Sequence, residues 1–167
     1  SGTTEGESGR HFFPTLELYE AAIVPNFRAH LLTGIAEPIR MLILTPPPEE
    51  APHSSLVHMM KVVSEDFGTS NSDYYLRGGE LLADRLLTVL DQCIRDAEPV
   101  FLLGTAFAFV FLMERMQARG RRPLALPARS RIMDTGGFKG RTREIPRPEF
   151  YAALSQTFGV PLSHIVN

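Results

Sequence analysis

The sequence predicts an α/β fold, a largely parallel sheet flanked by helices, and three observations carry that expectation. Short, almost wholly apolar runs at 39–44 and 100–103 suit strands buried on both faces. Around them lie segments whose apolar residues recur every three or four positions, the period of a helix with one buried face. Proline or glycine closes most of these runs, as at Pro46-Pro47-Pro48, Gly68, Gly104 and Gly159. Strands alternating with helices at this spacing are joined by crossovers, which makes the sheet parallel.

Taken in order, the polar, glycine-rich start gives way at Pro14-Thr15 to a helix presenting Leu16, Tyr19, Ala22, Ile23 and Phe27, which Pro25 is expected to kink or end early. Residues 39–44 are the first strand, stopped by the proline run. Ser54 or Ser55 caps a helix with Val57, Met60, Val63 and Phe67 on one face and Gly68 at its end. Tyr74-Tyr75-Leu76 makes a short strand. Residues 79–94 are expected to be helical through Leu82, Leu86, Val89, Leu90 and Cys93, followed by a strand at 100–103 and a helix at 106–117. A strand at 131–133 leads into Gly136-Gly137, a helix at 150–158 is closed by Gly159, and 162–166 forms a final strand. The strands ending near Thr45, Gly104, Thr135 and Asn167 are expected to point their C-terminal ends to one side of one sheet, where open α/β sheets bind ligands.

With 167 residues, 44% hydrophobic and 22% charged, the chain is expected to fold as one domain over 1–167. A net charge of −2 and a pI near 6.2 give no global reason to expect nucleic acid as a partner. The single cysteine, Cys93, excludes an internal disulfide and fits a reducing cytoplasm. It falls on the apolar stripe of a predicted helix, as a buried and inert thiol would. The longest apolar stretch, 99–113, is broken by Gly104 and Thr105 and falls short of the roughly 20 residues a bilayer span requires, so no membrane span is expected. The chain opens without an initiator Met or a basic and apolar leader, and is read as a segment excised from a longer protein.

Two motifs could carry chemistry. The start, Ser1-Gly2-Thr3-Thr4-Glu5-Gly6-Glu7-Ser8-Gly9-Arg10, combines hydroxyls, glycines and an arginine, so residues 1–13 are either a flexible terminus or a loop able to wrap a polyphosphate. It is not a Walker loop, because no Gly-Lys-Ser/Thr follows. The second, Asp134-Thr135-Gly136-Gly137-Phe138-Lys139-Gly140, follows a predicted strand. It is a tight turn, or a place where a flat ring lies on bare glycine backbone with Phe138 stacked on it and Lys139 meeting an anion.

Together these motifs resemble the adenylate-forming superfamily of acyl and aryl ligases. Ser1-Gly2-Thr3-Thr4 is similar to its phosphate-binding loop. Residues 131–140, followed by Glu149-Phe150, Phe158-Gly159-Val160 and Ile165-Val166-Asn167, resemble the acyl-protein synthetase (LuxE-type) branch. The resemblance covers nearly the whole chain and implies part of the large N-terminal domain of such an enzyme. It implies ATP and Mg²⁺ as cofactors, a fatty or other carboxylic acid as substrate, and a protein thiol or coenzyme A as acyl acceptor. It further implies that Ser1, Gly2, Thr3, Thr4 and Gly6 cradle the β- and γ-phosphates, and that Gly136, Gly137, Phe138 and Lys139 face the adenosine or acyl group. Glu5 and Glu7 depart from the pattern, and the lysine usual near the end of the loop is replaced by Arg10. The family's Tyr-Gly-x-Thr-Glu motif, lid lysine and acyl-accepting cysteine would all lie beyond Asn167, so this segment by itself is expected not to make acyl-AMP at an appreciable rate, and no catalytic residue is assigned.

His53, in the loop after the proline run, is either a gate to the carboxylate pocket, as the superfamily often has there, or a solvated loop histidine. Gly104 and Thr105, with Phe107, Phe109 and Phe111 beyond, form either a wall of an acyl pocket or plain core. Residues 119–147 hold eight arginines and Lys139 against only Asp134 and Glu144, a solvated basic face or an attraction for ATP or an acidic carrier protein. The histidines show no metal-ligand spacing. Two other classes stand beside the ligase: a non-catalytic binding or scaffold module, and a dinucleotide-binding oxidoreductase, against which the absence of Gly-x-Gly-x-x-Gly after the first strand counts.

Overall fold

The structure is a computed structural model that describes residues 16–35, 38–136 and 145–167. Five parallel strands make one sheet in the order β2-β1-β5-β6-β7. They are β1 (Arg40–Leu44), β2 (Asp73–Tyr74), β5 (Val100–Gly104), β6 (Arg131–Asp134) and β7 (Ile165–Val166). The α/β fold with a parallel sheet therefore stands, and the four expected strand ends do share one edge. A separate antiparallel hairpin, β3 (Leu76–Arg77) and β4 (Glu80–Leu81), follows β2.

Period-two alternation divides the core between the two faces of the sheet. Met41, Ile43, Phe101, Leu103 and Met133 point to one face, which α1 (Glu17–Leu31) and α2 (Ser55–Phe67) cover with Phe27, Met60, Val63 and Phe67. Leu42, Leu44, Val100, Leu102 and Ile132 point to the other, under α3 (Ala83–Arg95), α4 (Ala106–Ala118) and α5 (Arg147–Phe158). β5 is buried along its whole length, as its unbroken apolar run requires.

Local punctuation behaves as its chemistry dictates. Ser54, rather than Ser55, caps α2, its hydroxyl accepting from Val57 N–H at 3.3 Å. Thr105 caps α4 in the same way through Ala108 N–H. Gly159 closes α5 in the left-handed region, at φ 67°.

Three expectations are corrected. Of the kink or early end expected at Pro25, the early end does not occur: helix α1 runs on to Leu31. Pro25 and Ala21, whose carbonyl loses its partner, both sit on the exposed side, while Phe27 anchors the later turns by stacking on Phe67 at 5.8 Å. The stretch beginning at Gly79 is not helical at once, because Gly78 and Gly79, both at positive φ, turn the β3–β4 hairpin, and α3 starts only at Ala83. Residues 162–166 are not one strand either: a 3₁₀ turn over Leu162–His164 follows Pro161, and β7 keeps two residues.

Candidate functional site

The order of strands sets where a ligand would lie. The chain leaves β1 for β2 on one side and returns to β5 on the other, so the direction of winding reverses between β1 and β5, and open parallel sheets hold ligands outside the carboxyl ends at such a reversal. Thr45, 2% exposed, directly follows β1 there, and Gly104 ends β5 just before Thr105 caps α4. His53 lies on the β1–α2 connection, exposed, just before the cap of α2. Gly104 has a packing reason of its own: a Cβ on it would stand 2.8 Å from Leu44 Cβ. Phe109 is buried in the core, Phe107 is half-buried and Phe111 is 41% exposed, so the phenylalanines of α4 face several directions rather than one wall.

The neighbouring crevice is built around Asp134, which is 4% exposed. Its Oδ1 accepts from Gly136 N–H at 2.9 Å, and the Ala106 N–H at the start of α4 adds a small pull toward its ionised form. Asn167 Nδ2 donates to the Asp134 carbonyl at 2.8 Å, tying β7 to β6. Thr135 N–H donates to the Gly104 carbonyl at 3.0 Å, tying β6 to β5. A hollow of about 210 Å³ opens beside these groups, with Arg147 and Phe150 of α5 as its far wall. Arg147 is steadied by Tyr151, whose hydroxyl accepts from Nη2 at 3.2 Å.

Gly136, an expected site residue, thus lines the hollow at φ 72° with its N–H held by Asp134. Ser1, Gly2, Thr3, Thr4, Gly6, Gly137, Phe138 and Lys139 lie outside the described residues. Asp134, Arg147, Phe150 and Asn167 as a group were missed in sequence. Asp134 was visible as the residue before Thr135-Gly136, but nothing local announces that residues 33 apart, Asp134 and Asn167, meet.

Burial pushes the Asp134 carboxyl above its ordinary value of 3.8, while the Gly136 N–H, the nearby Arg147 charge, Asn167 and the Ala106 N–H pull it down. Because the folded value is raised, the stability Asp134 contributes is fully present below the ordinary carboxylate range and is lost as pH rises through the raised value. Asp134→Asn removes that titration. Denaturant midpoints of the two proteins at pH 3 and pH 7 are therefore expected to differ, the Asn variant gaining on the wild type at pH 7; a gap independent of pH would refute the assignment.

No three of His, Cys, Asp and Glu gather to hold a metal ion among the described residues. A flat, uncharged ring suits the bare backbone at Gly136.

Cys93 is fully buried in α3, and burial pushes its thiol up to about 11, so it stays protonated near neutral pH. Cys93→Ala is expected to cost about 1 kcal/mol in stability through a small cavity and to leave ligand binding unchanged. Denaturant titration beside ATP titration checks both halves.

No described helix is long and apolar enough to cross a membrane. No family model, no curated protein and no solved structure matches this chain.

Proposed function

We propose that this chain is the nucleotide-handling part of an enzyme that activates a carboxylic acid with ATP, in the manner of the acyl-protein synthetases its motifs resemble. The observation that carries the reading is the crevice at the carboxyl end of β6, where Asp134-Thr135-Gly136 meets Asn167 and the start of α4. In that crevice the glycine backbone accepts a flat ring, and Thr135 and Asn167 supply polar groups around it. The carboxylate oxygen of the acid attacks the α-phosphorus, the bond to the β-phosphate oxygen breaks, and pyrophosphate leaves. The resulting acyl-AMP passes its acyl group to a thiol, of a protein or of coenzyme A, and AMP is released. The work of the protein is to hold acid and nucleotide in line in a site that excludes water. The phosphate-binding role of Ser1, Gly2, Thr3, Thr4 and Gly6 and the Mg²⁺ that accompanies the phosphates rest on the motif resemblance.

The test uses binding, which does not depend on turnover. A non-hydrolysable acyl-AMP analogue with a sulfamoyl link in place of the phosphate is expected to bind about 100-fold more tightly than ATP, because it engages nucleotide and acyl subsites together. Calorimetric titration of both, with NADH as a third ligand, decides. Binding of NADH alone would favour the oxidoreductase, and no binding of any would favour a scaffold.

A further inference from the structure

Three consecutive residues follow one another along the carboxyl end of β6, and each is tied to the fold by a different bond. The Asp134 carbonyl accepts from Asn167 Nδ2 at 2.8 Å. The Thr135 N–H donates to the Gly104 carbonyl at 3.0 Å, and the Thr135 hydroxyl donates to the same oxygen at 3.3 Å, which joins this residue to β5. The Gly136 N–H donates to Asp134 Oδ1 at 2.9 Å. This last bond closes an Asx turn, in which the side chain stands in for a backbone carbonyl.

The first two ties use the backbone of Asp134 and the atoms of Thr135, so both outlast a change of side chain at position 134. The third depends on that side chain. It is also the tie a ligand would feel, because Gly136 lines the hollow and stands at φ 72°. A glycine visits positive and negative φ about equally readily, so the residue itself does not select that value. The acceptor on the buried Asp134 does. Two properties of this side chain are separable. Its oxygen accepts from Gly136, and its negative charge is favoured by Arg147, on the far wall of the hollow. Asparagine keeps an acceptor oxygen and removes the charge, whereas alanine removes both.

We propose that Asp134 is a positioning residue for the ligand of this crevice: its side-chain oxygen, as an acceptor rather than as a charge, holds Gly136 in the left-handed turn against which a nucleotide ring packs. The inference rests on the reading of function given above. With the turn fixed beforehand, the wall that binds is the wall at rest. Without the tie Gly136 spreads over several conformations, and the apparent affinity falls by the fraction that remains competent to bind.

ATP is the probe, titrated calorimetrically into the wild type, Asp134→Ala and Asp134→Asn, beside melting curves and NMR measurement of hydrogen exchange at the Gly136 amide. Asp134→Ala is expected to bind ATP about tenfold more weakly, and Asp134→Asn to restore the affinity to within about threefold of the wild type. Exchange at Gly136 is expected to be slow in the wild type and in Asp134→Asn, and about tenfold or more faster in Asp134→Ala. Cys93→Ala, destabilised in α3 and outside the lining of the crevice, is expected to bind ATP as the wild type does, which separates positioning from a general loss of stability. Three results would each overturn the proposal: ATP affinity unchanged in Asp134→Ala, Asp134→Asn as weak as Asp134→Ala, which would assign the effect to the charge facing Arg147, or fast exchange at Gly136 in the wild type. Absence of ATP binding in the wild type with Gly136 protected would instead overturn the reading of function, and this inference with it.

Discussion

Gly159→Ala is expected to destabilise the protein by about 3 kcal/mol, lowering the melting temperature by about 6–12 °C. Gly159 ends α5 at φ 67° and ψ 27°, with its N–H on the Ser155 carbonyl at 2.9 Å. The left-handed conformation alone costs an alanine about 1 kcal/mol. The larger part comes from what a Cβ would meet: the Leu124 carbonyl oxygen at 2.8 Å and Ala125 Cα at 2.9 Å. Both are backbone and cannot swing aside. Residues 124–126 are stitched to the same end of α5, Leu124 N–H to the Thr157 carbonyl at 2.7 Å and Leu126 N–H to the Phe158 carbonyl at 3.0 Å. Relieving the clash therefore breaks those bonds and lifts the buried Leu124 and Leu126. Gly120→Ala is the control, because Gly120 has φ 60° and nothing within 4 Å of its Cβ position. It is expected to cost about 1 kcal/mol. Equal losses in the two variants would show that the contact with residues 124–125 does not matter.

Gly136→Val is expected to abolish binding of ATP and of the acyl-AMP analogue, about 100-fold or more in affinity, while the protein stays folded. Gly136 stands at φ 72° on the wall of the carboxyl-edge hollow, and among the described residues the one atom within 4 Å of an added Cβ is Asn167 Nδ2, at 3.6 Å. Among the described residues a valine there meets only Asn167, so the fold is expected to survive while its methyl groups occupy the space beside Asn167 that a ligand ring needs. The strain of a β-branched residue at positive φ is shared by Gly120→Val, which separates backbone cost from lost ligand space. Calorimetric titration beside melting curves reads both. Retained affinity in Gly136→Val would remove the nucleotide from this crevice.

The elements that could be read in sequence are those whose free energy is local. The apolar runs of β1 and β5, the Ser54 cap and the Gly159 stop were each legible from residues within a few positions. The hairpin was missed although Gly78-Gly79 between Arg77 and Glu80 is a two-residue turn signal, because the helical spacing of Leu82, Leu86 and Leu90 drew the helix too far back over it. Pro25 misled for a different reason. A proline removes one helical hydrogen bond, but whether the helix survives depends on where the orphaned carbonyl points and what the next turn packs against, and Phe27 packs against the sheet.

What the sequence by itself determined was the kind of fold: parallel strands, their common carboxyl edge, and the burial of Cys93. Periodicity and punctuation decide these, and both are properties of neighbouring residues. Only the tertiary structure decided what each edge of the sheet is made of. Asp134 sits at the start of α4 because β5 and β6 pair, Asn167 reaches Asp134 from 33 residues away, and the Thr69 hydroxyl is buried without a partner among the described residues at the other edge. Hydrogen bonding, desolvation and charge balance act between atoms in space, so side chains far apart in the chain acquire these roles only when the sheet brings them together.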